Sequence, residues 1–133
     1  NASATKRVRK LVEKTFSGLS PSTGFNGDED QGLMGSLAVL MKIGLFQMNG
    51  GTEDNPEYQV TSPVFDKISI KLNKDYYPGE MFEIQTVNNS PENVYVNKMQ
   101  FNGKSLKVNA IKQSDIIKGG VLLLNMEPNS VKN

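Results

Sequence analysis

The apolar residues of this 133-residue chain keep one period near its start and a different one afterwards. Val8, Leu11, Val12 and Phe16 recur at helical spacing, with Lys6, Arg7, Arg9, Lys10 and Lys14 filling the other face. This spacing predicts an amphipathic helix over residues 4–17, ended by the Ser-, Pro- and Gly-containing run Ser17–Gly24. Residues 31–46 are predicted as a second helix. Leu33, Met34, Leu37, Ala38, Leu40, Met41, Ile43 and Leu45 make it apolar on most sides, the pattern of a helix covered by neighbours. Asp28 or Asp30 would cap its start, and Gly44 marks its end.

Beyond the polar, Gly-rich loop Asn49–Glu57 the period becomes two. Ile68, Ile70 and Leu72 alternate with Lys67, Ser69 and Lys71, and Phe82, Ile84 and Thr86 continue the pattern after the turn Tyr77-Pro78-Gly79. Val94 and Val96 follow the turn at Asn88–Pro91. Asn102-Gly103, between Met99–Phe101 and Lys104–Val108, is a hairpin signal. Ser114–Ile117 is predicted as a capped helical turn and Val121–Met126 as a buried strand. The expected class is therefore α+β: a helical segment over 1–57, then an antiparallel β domain over 58–133 resembling a small sandwich or jelly-roll sheet. The second helix asks for more neighbours than these elements supply, as in a piece of a helical barrel.

Composition narrows the chemistry. Apolar residues are 37% and charged residues 22%, enough for a core. A net charge of +1 points to neither nucleic acid nor an anionic membrane, and no apolar run approaches the ~20 residues of a membrane span. Cysteine and histidine are both absent, which excludes disulfides, thiolate metal sites and a Ser-His-Asp triad. Acid–base work must fall to carboxylates, Lys or Tyr, and any metal would be a hard cation held by oxygen. The opening Asn1-Ala2, without an initiator Met, is read as a remnant of tag removal, so the segment is expected to begin inside a longer protein.

The densest feature is Gly27-Asp28-Glu29-Asp30-Gln31-Gly32, three carboxylates before a helix. Asp28 and Asp30 are two residues apart, so in an extended loop both side chains point the same way. Held by the free N–H groups of a helix start, such a pair can orient and deprotonate one water. The same residues also make an ordinary helix cap, Asp28 with Gln31 forming a capping box. Asp-x-Asp beside Asn26 faintly resembles a calcium loop, without the later Gly and Glu at the right offsets.

Four short segments in the right order resemble glycoside hydrolase family 92. Gly27, Asp28, Asp30, Gly32, Met34, Val39 and Gly44 fall in register with the family's acidic loop and following helix. Tyr58–Lys67 (Tyr-Gln-Val-Thr-Ser-Pro-Val-Phe-Asp-Lys) is similar to its Tyr-x-x-Gly-Ser-Pro-x-Phe-Asp-Lys segment. Asn88–Val96, with Asn102-Gly103 beyond, is similar to its Asn-Asn-Ser-x-x-Asn-x-Tyr segment. Ser114-Asp115-Ile116 with Gly119-Gly120 resembles its closing segment. The likeness runs over roughly residues 24–128.

The resemblance implies a calcium-dependent, inverting exo-α-mannosidase, an α-1,2-mannosidase, acting outside the cytoplasm on α-mannoside glycans. It implies an (α/α)6 barrel whose last helices are the two read here. By the same resemblance Asp30 matches the general base and Asp28 its partner on the nucleophilic water. The general acid would be a glutamate upstream of Asn1, in the rest of the parent chain, so this segment alone is expected to hydrolyse nothing. Acid and base on opposite faces of the sugar, about 6.5–9.5 Å apart, suit distant chain segments. The sequence departs from the family at Leu37-Ala38 (Trp-Tyr there), Phe46-Gln47 (Tyr-Pro), Gly35 (Ser) and Thr61 (Gly). Aromatic rings that would stack on sugar are thereby lost.

A second reading makes the chain a non-catalytic β-sandwich module that binds carbohydrate or buttresses a catalytic domain. Among other features, the basic run Lys6–Lys10 reads as a solvated helix face, and Tyr76-Tyr77 as residues that pin a turn or stack on sugar. Asn88-Asn89-Ser90 reads as an Asx turn or a glycosylation sequon.

Overall fold

Thr5, Arg9, Val12 and Phe16 lie on one side of a 3.6-residue helix, and that side carries the packing of α1 (Ala2–Thr15), with Thr5, Arg9 and Val12 buried. The computed structural model describes residues 2–16, 18, 20, 22 and 33–129. The end of α1 is closed by Phe16 N–H donating to the Val12 carbonyl at 2.9 Å. Lys42 Nζ, from the last turn of α2 (Leu33–Ile43), donates to the Phe16 carbonyl at 2.9 Å. A lysine thus satisfies a carbonyl that the helix itself leaves open.

α2 stops three residues short of the expected end. Gly44 takes φ +82 and the chain turns into a strand, β1 (Leu45–Gln47). A left-handed residue cannot continue the helix, and here a side chain would also collide, because a Cβ on Gly44 would lie 3.0 Å from Pro63 Cδ. No described residue between Met34 and Ile43 is fully buried, so the apolar helix is only partly covered by this chain.

The remaining elements are β2 (Glu57–Val60), β3 (Lys67–Lys71), β4 (Met81–Val87), β5 (Tyr95–Phe101), β6 (Lys104–Ser105), β7 (Ala110–Lys112), α3 (Gln113–Ile116) and β8 (Gly120–Glu127). They form two sheets, β1-β2-β7 and β3-β4-β8-β5-β6. Leu45 opposes Val60 and Tyr58 opposes Ile111 in the first. The larger sheet turns Phe82, Ile84, Leu122, Leu124, Met126 and Met99 inward, against Leu45, Val60, Ile111 and Ile116. Lys67, Ser69, Glu83 and Gln85 occupy alternate positions on its other face. The expected class holds: two helices, then a β-sandwich.

Three details differ from expectation. β4 and β8 pair in parallel, Phe82 beside Gly120 through Val87 beside Asn125, so the larger sheet is mixed rather than antiparallel. The small sheet is built from strands of three or four residues, too short to show a period. One of them, β1, lies before the expected break at 57/58 and pairs across it. The helical turn α3 has no cap from its own N-cap residue. Asn55 caps it instead, its side-chain oxygen accepting Ser114 N–H at 2.9 Å.

Candidate functional site

Asp28 and Asp30, with Glu29 between them, lie outside the described residues. What is described is the frame on either side, α1 before the acidic segment and α2 after it, joined by Lys42 and Phe16. Among the described residues no group of three or more His, Cys, Asp or Glu could hold a metal.

The best-defined polar cluster centres on Arg9, which is only 5% exposed. Its Nη1 donates to Pro63 O at 2.6 Å, to Asn89 Oδ1 at 2.6 Å and to Ser62 Oγ at 3.2 Å. Its Nε donates to Glu13 Oε1 at 2.9 Å, one helical turn on. The reading of Arg9 as part of a solvated basic face is therefore corrected. The spacing did hold a signal: Arg9 stands four after Thr5 and three before Val12, inside the buried stripe. Lys6 keeps to the rim, with its ammonium 5.7 Å from the Tyr95 ring centroid, a cation–π contact from α1 to β5.

The acceptors of Arg9 Nη1 are residues of the resembling segments. Ser62-Pro63 forms the corner after β2, held by Thr61 N–H on Gly44 O at 2.8 Å and Val64 N–H on Lys42 O at 3.0 Å. Asn89 sits in the β4–β5 turn, after Asn88 at φ +61. Asn93 Nδ2 donates to Asn88 O at 2.8 Å, and Ser90 Oγ accepts the N–H groups of Glu92 and Asn93 at 3.2 and 3.0 Å. The side chains of Ser90 and Asn93 thus build the turn, while that of Asn89 ties it to Arg9 on α1. A second pair of segments meets at Asn102, whose Oδ1 accepts Val121 N–H at 2.9 Å. Gly120 takes φ +126, and a Cβ there would lie 2.3 Å from Asn102 Oδ1. These residues hold the sandwich in shape; none of them is a proton carrier.

Thr61, at the position where the resembling family has Gly, leaves its hydroxyl buried with no hydrogen-bond partner among the described residues. It borders a cleft of about 280 Å³ lined by Val8, Met41, Phe46, Met48 and Gln59. On the outer sheet face Glu83 receives Lys67 Nζ at 2.7 Å, Gln85 Nε2 at 2.8 Å and Ser69 Oγ at 3.0 Å. These donors, Lys67 first, hold its carboxyl below the ordinary glutamate value. Lys74 does the same to Glu80.

Known proteins fit this frame. The model of the glycosyl hydrolase family 92 catalytic domain matches residues 1–128. An uncharacterized secreted glycosidase of Arthroderma benhamiae is 31% identical over 129 residues, which is 94% of this chain and 15% of that protein. A family 92 inverting mannosidase of Bacteroides thetaiotaomicron is 27% identical, with a TM-score of 0.79 over 96% of this chain and 16% of its own. A family 92 α-mannosidase of the same organism, solved with mannoimidazole, is 25% identical with a TM-score of 0.80, over 94% and 15%. The chain thus spans about a sixth of the length of these relatives. With residues 1–128 of its 133 matched by the family's model, this chain belongs to glycoside hydrolase family 92.

Proposed function

We propose that this chain is the C-terminal part of an inverting α-mannosidase, an α-1,2-mannosidase, that removes terminal mannose from α-mannoside glycans. The match of residues 1–128 to a catalytic domain carries the reading. The inverting mannosidase that aligns over 96% of the chain supports it.

In this reading Asp30 is the general base and Asp28 its partner on the attacking water. The water oxygen bonds to the anomeric carbon while Asp30 takes its proton. The bond to the leaving oxygen breaks, and an acid upstream protonates that oxygen. One displacement from the far face inverts the anomeric centre. The base must be ionised to work, and two neighbouring carboxylates repel, so each needs donors; the first N–H groups of the helix that follows are one source. The Arg9 cluster and the sandwich act as the mount for the helices that flank this loop.

Calcium in the parent protein belongs to the same proposal. Among the described residues no three carboxylates stand close enough together to hold the ion. An extracytoplasmic location rests on the secreted fungal relative. Among the described residues no helix is long and apolar enough to cross a membrane.

The test is the longer protein assayed on linked α-mannobioses, with and without a chelator, following the anomer released by proton NMR. β-Mannose as first product, lost with Asp30→Ala and with the chelator, is expected. Full turnover in Asp30→Ala would favour the module reading, in which this chain only binds sugar or buttresses the catalytic domain.

A further inference from the structure

The turn joining β3 to β4 is held by hydrogen bonds of its backbone and of Asn73. The Asn73 carbonyl accepts Tyr76 N–H at 3.1 Å and Tyr77 N–H at 2.9 Å, and its side-chain oxygen accepts Asp75 N–H at 2.9 Å. Leu72 N–H donates to Glu80 O and Gly79 N–H to Ile117 O, each at 2.9 Å. Lys74 pairs with Glu80 across the mouth of the turn. Tyr76, 78% exposed, pins nothing, whereas Tyr77 is half covered. Of the two roles open to this pair, pinning the turn is thereby removed for Tyr76. A cavity of about 470 Å³, lined by Lys71, Leu72, Asn73 and Lys74, opens in the same turn. Lys71 pairs with Met81 at this end of the hairpin and Lys67 with Gln85 at the other, so the turn stands a whole strand, about 13 Å, from the end near Asn89.

We propose that this turn, with Tyr76 as platform and Lys71, Asn73 and Lys74 as polar partners, is a surface site for the pyranose rings of an α-mannoside glycan. The ligand class rests on the mannosidase reading above. A pyranose has an apolar C–H face, which stacks on a flat aromatic ring, and a rim of hydroxyls, which ammonium and amide groups satisfy. A turn already fixed by backbone bonds and a ring with two torsions lose little freedom on binding. A site outside the acidic loop would keep a branched glycan near the enzyme and raise its effective concentration there.

The chain has four Tyr and no Trp, so its emission is the sum of Tyr58, Tyr76, Tyr77 and Tyr95, and the Tyr76 variants assign the share that comes from this turn. The experiment titrates the 133-residue chain with α-linked mannotriose, and with cellotriose as comparison, by tyrosine fluorescence. Saturable binding of mannotriose over cellotriose is expected, weakened about tenfold or more in Tyr76→Ala and kept within about twofold in Tyr76→Phe. The double variant Asp28→Ala/Asp30→Ala is expected to bind like the unaltered chain. The thermal melt of Tyr76→Ala should stay close to the original, because the residue is 78% exposed. Absence of binding, equal binding of cellotriose, or binding indifferent to Tyr76→Ala would each overturn the site. Binding lost only in the double variant would overturn it as well, by moving the sugar to the acidic loop, and would leave the mannosidase reading standing.

Discussion

Arg9 Nη1 and Asn89 Oδ1 are 2.6 Å apart, a hydrogen bond that joins the first helix to a turn 80 positions later in the chain. The same nitrogen holds the Pro63 carbonyl, so one buried cation closes the seam between helices and sandwich. Glu13 supplies the balancing charge from a partly exposed position. A buried guanidinium with neutral oxygen acceptors is stable only while all of them stay in place.

Arg9→Met should therefore lower unfolding stability by about 3 kcal/mol, because it leaves buried acceptors unpaired. Arg9→Lys should recover only part of the loss, since a single ammonium cannot reproduce the planar fork. Urea unfolding of the three proteins measures this; equal midpoints would show that the cluster is dispensable.

Gly120→Ala should destabilise by about 2 kcal/mol, through its positive φ and the clash with Asn102. Asn102→Gly in the same chain should relieve the steric share alone. A double-mutant cycle in denaturant reads the coupling, and strict additivity would contradict the contact.

Thr61→Val should stabilise the chain by about 1 kcal/mol, since it replaces a buried, unpaired hydroxyl by a methyl of the same shape. A lower melting temperature would reveal a partner for that hydroxyl.

Glu83 titrates below its ordinary value of 4.5 in the folded state, with Lys67 the leading cause. The native state thus prefers the carboxylate. Its contribution is present above the ordinary value and is lost as pH falls through the folded one. Stability should decline on acidification below about pH 5, and Glu83→Gln should flatten that decline. Unfolding midpoints taken across this range decide it; identical slopes would remove Glu83 as a source.

In the longer protein, Asp30→Ala should lower kcat by several orders of magnitude, with Asp28→Ala close behind. Either change should alter stability by no more than the ~1 kcal/mol of a helix cap. Retained turnover, measured on a linked mannobiose, would remove the role from that residue. The 133-residue chain alone should release no mannose.

Periodicity was enough for the two helices and for the Ile68–Ile70 and Phe82–Ile84 alternation, and the Asn-Gly pair for the hairpin at Asn102-Gly103 with its positive φ angles. These are local properties, because one side chain after another reports which face is covered. The order of four short segments was likewise enough for the family. What tertiary structure alone decided was who meets whom. Arg9 reads as a surface cation until Ser62, Pro63 and Asn89 are folded around it. The parallel pairing of β4 with β8 depends on where the intervening strands go, not on either strand's own pattern. Strands of three residues carry too few positions to declare a period, and the cap on Ser114 comes from Asn55, far away in sequence. Local chemistry sets which face of an element is apolar; only long-range packing chooses the partner that covers it.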